Sequence, residues 1–142
     1  MSPKVSLIIE IILHATEDIT KIEKPLQNIF DINPEDLEKE EITGHFGNPI
    51  TILKIKLSKN NAKKMISILI SKISNNDIDV LEQKIDEMNV NSGLEIRISR
   101  QDLIRDKISF RKRDSIILTI TTPVYKKNET GKIYREILNI RN

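Results

Sequence analysis

The sequence has no cysteine, only four glycines, two histidines and five aromatic residues, and no long uninterrupted apolar run. Each shortage removes a class of explanation. Without cysteine neither a disulfide framework nor a thiolate zinc site can form, and a reducing compartment is compatible. Four glycines leave little material for a phosphate-cradling loop, and no Gly-x-Ser-x-Gly elbow, phosphate loop or dinucleotide fingerprint is present. The most apolar N-terminal stretch, residues 7–13, is interrupted by Glu10 and falls far short of the roughly 20 residues a spanning helix needs. No small-residue cleavage site follows it, so a secretory leader is not expected and a cytoplasmic location is.

What is present is charge, unevenly placed. The formal net charge is only +2. Between residues 31 and 41, however, Asp31, Glu35, Asp36, Glu38, Glu40 and Glu41 face only Lys39, and residues 77–87 are similarly acidic around Lys84. Between 97 and 113 the balance reverses: Arg97, Arg100, Arg105, Lys107, Arg111, Lys112 and Arg113 are opposed only by Asp102 and Asp106. Lys126, Lys127, Lys132, Arg135 and Arg141 extend the positive character into the C-terminal segment. At 142 residues the chain has the length of one domain and can bury a core unaided. We read residues 1–125 as a single α+β domain and 126–142 as a basic tail.

Hydrophobic periodicity orders the elements. Residues 5–15 are β-branched and aliphatic, with Leu7, Ile9, Ile11 and Leu13 on one parity, which predicts a buried, central strand. Thr16 offers an N-cap hydroxyl with Glu17 and Asp18 behind it, and Ile19, Ile22, Leu26, Ile29 and Phe30 follow at helical spacing. Pro25 inside that pattern predicts a kink or a break. After the Asn33-Pro34-Glu35-Asp36 turn, two arms at 37–43 and 50–58 flank Gly44-His45-Phe46-Gly47-Asn48-Pro49, which reads as a hairpin with Lys54 and Lys56 on its wet face. Ala62, Met65, Ile66, Leu69, Ile70 and Ile73 form the clearest helical stripe. A second helix carries Ile78, Leu81, Ile85 and Met88 and ends near Asn91-Ser92-Gly93. Leu94, Ile96 and Ile98 alternate in a fourth strand, Gln101 opens a short helical turn, and a fifth strand at 115–122 stops at Pro123. Ile133, Ile137 and Ile140 fit either a short helix or an edge strand. The fold expected is two-layer α+β: a mostly antiparallel or mixed sheet of about five strands with helices on one face.

Candidate chemistry is sparse. His14 and His45 lie far apart in sequence without ligand spacing, so no metal site and no cofactor are expected. His14 beside Glu17 and Asp18 could serve acid–base chemistry, yet two acids at a helix start have a plainer use against the helix dipole. The hairpin tip would project His45 and Asn48, because Gly44, Gly47 and Pro49 shape a tight turn. Clustered Arg and Lys fit phosphate oxygens and gain affinity from counterion release. No strand carries an exposed aromatic pair for stacking single-stranded bases, which favours structured or double-stranded RNA.

Three segments carry a family likeness: His14-Ala15-Thr16-Glu17-Asp18, then Gly44-His45-Phe46-Gly47-Asn48-Pro49-Ile50, then the run from Leu94 to Gln101. In order and spacing they resemble the archaeal family of predicted RNA-binding proteins or exosome subunits. The resemblance implies a fold similar to the large-subunit ribosomal protein numbered five, which holds five-S ribosomal RNA, and a link to RNA processing. It carries over His14, Thr16, Glu17, Asp18, Gly44, Gly47 and Pro49, with His45 and Asn48, as functional or structural signatures. It supplies no catalytic residue. The expectation is therefore a non-enzymatic, cytoplasmic RNA-binding accessory protein. Arg97, Arg100, Arg105, Lys107, Arg111, Lys112 and Arg113 would contact phosphates, with Lys54, Lys56, His45 and Asn48 at the border and exosome or ribosome proteins as partners. The alternative is a protein-interaction module or homodimer that docks on a larger complex.

Overall fold

The computed structural model describes residues 4–89 and 93–140. Five strands form one sheet: β1 (Ser6–His14), β2 (Glu38–Thr43), β3 (Pro49–Ser58), β4 (Leu94–Ser99) and β5 (Ser115–Thr121). Their spatial order is β2-β3-β1-β5-β4, every neighbouring pair antiparallel. β1 is central, as its apolar composition requires. Leu7, Ile9, Ile11 and Leu13 of β1, Leu53 and Ile55 of β3, Leu94, Ile96 and Ile98 of β4, and Ile116, Leu118 and Ile120 of β5 all turn to one face and are buried.

Helices cover that face: α1 (Thr20–Phe30), α2 (Lys59–Lys72), α3 (Asn75–Asp86) and α5 (Thr130–Leu138), while the short α4 (Arg100–Ile104) follows β4. α2 buries Ala62, Met65, Ile66 and Leu69, the stripe read from the sequence. α1 runs through Pro25 without interruption and ends on Asp31, whose left-handed φ of 57° closes the turn.

Three local expectations change, and one left open between helix and strand is decided as helix. Thr16 is not an N-cap: α1 starts at Thr20, and Asp18 accepts from the Thr20 backbone at 3.0 Å and the Thr20 hydroxyl at 2.8 Å. The N-cap position itself, Ile19, has no side-chain cap bond, and the carboxylate of Asp18 just before it takes the Thr20 N–H. α3 stops at Asp86, where the Glu87 N–H turns back to Gln83 and Lys84; the stop expected at Asn91-Ser92 lies outside the described residues. Beyond residue 126 the chain forms a short 3-10 turn and then α5, which buries Tyr134 and Leu138 in the same core as the sheet. The core thus extends past residue 125 to Ile140, while Arg141 lies outside the described residues.

Among the described residues no helix lies over the other face of the sheet. In register across it lie Ile8, Glu10, Ile12 and His14 of β1, Ile50, Ile52, Lys54 and Lys56 of β3, Ile117 and Thr119 of β5, and Glu95 and Arg97 of β4.

Candidate nucleic-acid interface

Antiparallel pairing throughout brings the C-terminal ends of β1, β2 and β4 and the starts of β3 and β5 to one end of the sheet. The turn after His14, the hairpin tip at 44–48, α4 and the loop at 105–114 all sit there. The first two family-like segments and the C-terminal end of the third, dispersed in sequence, therefore share one end of the molecule.

The 105–114 loop is pinned. Ile108 is buried, and Phe110 bridges to Ile98 on the outer edge of β4. Ser99 N–H donates to the Ser109 carbonyl at 2.8 Å, Arg111 N–H donates to the Arg97 carbonyl at 3.0 Å, and the Ser109 hydroxyl donates to the Asp102 carboxylate. Asp106 and Asp114, at φ 65° and 49°, take the left-handed turns at its ends, which short polar residues tolerate best. With its middle anchored, the loop leaves Arg105, Lys107, Arg111, Lys112 and Arg113 exposed. Among the described residues none of these five forms an ion pair.

Two members of the basic block are engaged differently. Arg97 pairs with Glu95 on its own strand at 3.1 Å. Arg100 has only 11% of its side chain exposed and holds Glu17 at 2.7 Å, Asp114 at 3.7 Å and the Ile12 carbonyl at 3.0 Å. It ties the end of β1 to the starts of α4 and β5. Glu17 in turn accepts from the His14 N–H at 3.1 Å, closing the turn after β1. The Thr20 hydroxyl and backbone N–H hold the Asp18 carboxyl below the usual carboxylate range. Both acids of the His14-Glu17-Asp18 group thus have structural partners, and His14 itself is exposed.

The hairpin tip is rigid for identifiable reasons. Gly44 N–H donates to the Asn48 carbonyl at 2.6 Å, and Gly47 N–H donates to the Gly44 carbonyl at 3.0 Å. Gly47 has φ 80°, and a Cβ on Gly44 would meet Asn48 Oδ1 at 2.7 Å. The Asn48 side chain therefore lies back against Gly44. Outward from this turn stand His45 and Phe46, their rings edge to face at 5.0 Å, with Phe46 91% exposed. Composition reveals how many aromatics there are but not which one a turn leaves uncovered, so His45 is legible at the tip from sequence while the exposure of Phe46 is not.

Lys54 and Lys56 lie elsewhere, on the open sheet face. Lys54 stands between Glu10 and Glu38 in register, and Lys56 is opposite Ile8, toward the far end of the sheet from the basic loop. The structure does not bring them to the loop. It does bring exposed Lys21 and Lys24, three apart on the polar side of α1, to a cavity of about 520 Å³ shared with Asn28, Leu103, Ile104 and Asp106. A neighbouring cavity of about 290 Å³ is lined by Thr16, Glu17, Asp18, Lys21 and Arg100. Among the described residues no three His, Asp or Glu side chains converge as a metal would need, and no helix is long and apolar enough to cross a membrane.

The fold is that of a two-layer α+β protein, and comparison with known proteins places it further. The family model described as RNA binding matches residues 6–122, and the chain belongs to that RNA-binding family. It is 32% identical over 85 residues to an uncharacterized protein of Methanocaldococcus jannaschii, an alignment spanning 57% of each chain. Among solved structures it is similar to a protein of Archaeglobus fulgidus, with 23% identity, TM-score 0.77 and coverage of 93% of this chain and 97% of that one. It is also similar to a DUF54 protein of Methanothermobacter thermautotrophicus, with 24% identity, TM-score 0.73 and coverage of 94% and 96%. At these identities the likeness speaks for the fold, shared among archaeal proteins.

Proposed function

We propose that this protein is a non-catalytic RNA-binding accessory protein that grips structured RNA by its phosphates through the loop at 105–113. The observation that carries this reading is the pinned loop, which displays from a fixed backbone five cations that form no ion pair among the described residues. A prearranged set of guanidinium and ammonium groups binds polyanions without first ordering itself. Membership of a family described as RNA binding supports it. Lys21 and Lys24 of α1 extend the positive surface, whereas the acids along β2, below its hairpin tip, oppose phosphates on the flank of that strand. Exosome and ribosomal assemblies are the candidate settings, and the likeness to the five-S-RNA-binding ribosomal protein belongs to the same proposal.

The test is a salt titration of binding to a structured RNA. About five phosphate contacts should give a slope near −4 in log K against log salt concentration. No binding, or binding indifferent to salt, would sink the reading.

One observation favours a second reading, self-association. The uncovered sheet face carries Ile8, Ile12, Ile42, Ile50, Ile52 and Ile117, with Ile12 39% and Ile42 40% exposed. Acids and bases alternate among them, so two copies could meet face to face without net repulsion. Light scattering at rising concentration, with Ile12→Lys as the disrupting variant, decides between monomer and dimer.

A further inference from the structure

We propose that the hairpin tip, with His45 and Phe46 seated on the Gly44–Asn48 turn, is a stacking site for one unpaired base of the RNA whose phosphates lie on the 105–113 loop. This rests on the RNA-binding reading and narrows its ligand: a helical RNA with a bulged or looped-out nucleotide, instead of a uniform duplex.

Three observations combine. Phe46 forgoes burial almost completely, at 91% exposure, although a polar residue would serve a turn of this shape equally well. The turn that carries it is fixed by two backbone hydrogen bonds and by glycines at positions where a side chain would collide or be strained. His45 braces the Phe46 ring edge-on at 5.0 Å, leaving a ring face free. A rigid aromatic face loses little entropy on binding, and any base can stack on it because every base presents a π-face.

Location supplies the remaining argument. The tip and the basic loop occupy the same end of the sheet, with β1 alone between β3 and β5. Strand spacing puts β3 of the hairpin about 10 Å across the sheet from the start of β5, where the loop ends, and about 20 Å from the loop segment on the outer edge of β4, a gap that a short run of nucleotides crosses. Tyr125 is just as exposed, at 91%, but follows β5 at the opposite end of the sheet, so it serves as an internal control.

The experiment compares a fully paired RNA duplex with the same duplex carrying one bulged 2-aminopurine. Wild-type protein should bind the bulged RNA more tightly, by about tenfold, and quench the fluorophore. Phe46→Ala should abolish the preference and the quench while leaving paired-duplex affinity and its salt slope unchanged; Phe46→Trp should restore both, and Tyr125→Ala should change neither. Phe46 makes no core contact, so the variant's fold is secure, and circular dichroism confirms it. The proposal is overturned if wild type shows no preference, if Phe46→Ala retains it, or if Phe46→Ala weakens both RNAs alike. Wild-type binding to the paired duplex with the expected salt slope keeps the RNA-binding reading intact in each of those cases. Failure to bind either RNA overturns both.

Discussion

Arg100 illustrates what a single side chain's charge does and does not tell. In sequence it is one more cation in a basic block; in the fold its guanidinium fork reaches two carboxylates and a backbone carbonyl on three separate segments. Its partner Glu17 is remote in the chain, and nothing in the local sequence announces the pairing. Removing Arg100 leaves a partly buried carboxylate and a carbonyl without their donor, a loss of about 2 kcal/mol. Arg100→Ala should therefore lower Tm by about 4–8 °C. The folded fraction should bind RNA with unchanged affinity, since the guanidinium is already engaged. Calorimetry and a binding isotherm on the same sample check both halves. Tyr134 gives a pH-dependent counterpart. Burial pushes its phenol above the usual value of 10.0. The folded state therefore holds the phenolic proton at pH values where the unfolded chain releases it. The sign follows: this contribution is complete below about pH 10 and is lost progressively as pH rises toward the folded value. Urea unfolding between pH 9 and 11 should show stability falling with pH, and Tyr134→Phe should flatten that part of the decline.

At the scale of elements, most of the fold was legible because its strands and helices have clean periods. β1, β3, β4 and β5 alternate or run apolar as core strands do, and α2 carries an uninterrupted stripe. The C-terminal helix was legible only as one of two forms, because its isoleucines suggest one seam while Tyr134 and Leu138, each one position further on from Ile133 and Ile137, make the fully buried one. β2 is exposed along its whole length, with Glu38, Lys39, Glu40 and Glu41 distributed over both of its faces. An edge strand charged on both sides resists pairing with another chain, which accounts for acids at positions where a buried strand would have valine. The hairpin it forms with β3 depends on its glycines. Gly47→Ala meets no neighbour but must hold φ at 80°, costing about 1–2 kcal/mol. Gly44→Ala places its methyl 2.7 Å from Asn48 Oδ1 and 2.9 Å from Ile50 Cδ1, an overpacking cost of about 1–3 kcal/mol. Both variants should shift the urea midpoint downward without altering the m-value, and Gly44→Ala should in addition displace the Asn48 side chain, visible as a chemical-shift change at its amide.

For the molecule as a whole, the sequence shows where positive charge is abundant along the chain, whereas binding depends on where it is unopposed in space. Register decides this for Lys54 and Lys56. A lysine set directly between Glu10 and Glu38 contributes little net field to an approaching phosphate, and its neighbour at 56 points out from the far half of the sheet. Among the described residues the cations at 111–113 form no ion pair, and the neighbouring Asp114 is held by Arg100. Equal removal of charge at the two places should thus have unequal effects. Lys54→Ala with Lys56→Ala should leave RNA affinity within about twofold and the salt slope within about half a unit. Arg111→Ala with Lys112→Ala and Arg113→Ala should cost at least tenfold at low salt and reduce the slope by about 2–3, one release event per lost contact. If the two sets of variants weaken binding in proportion to charge alone, RNA responds to the protein's overall field, and the pinned loop has no special part in holding it.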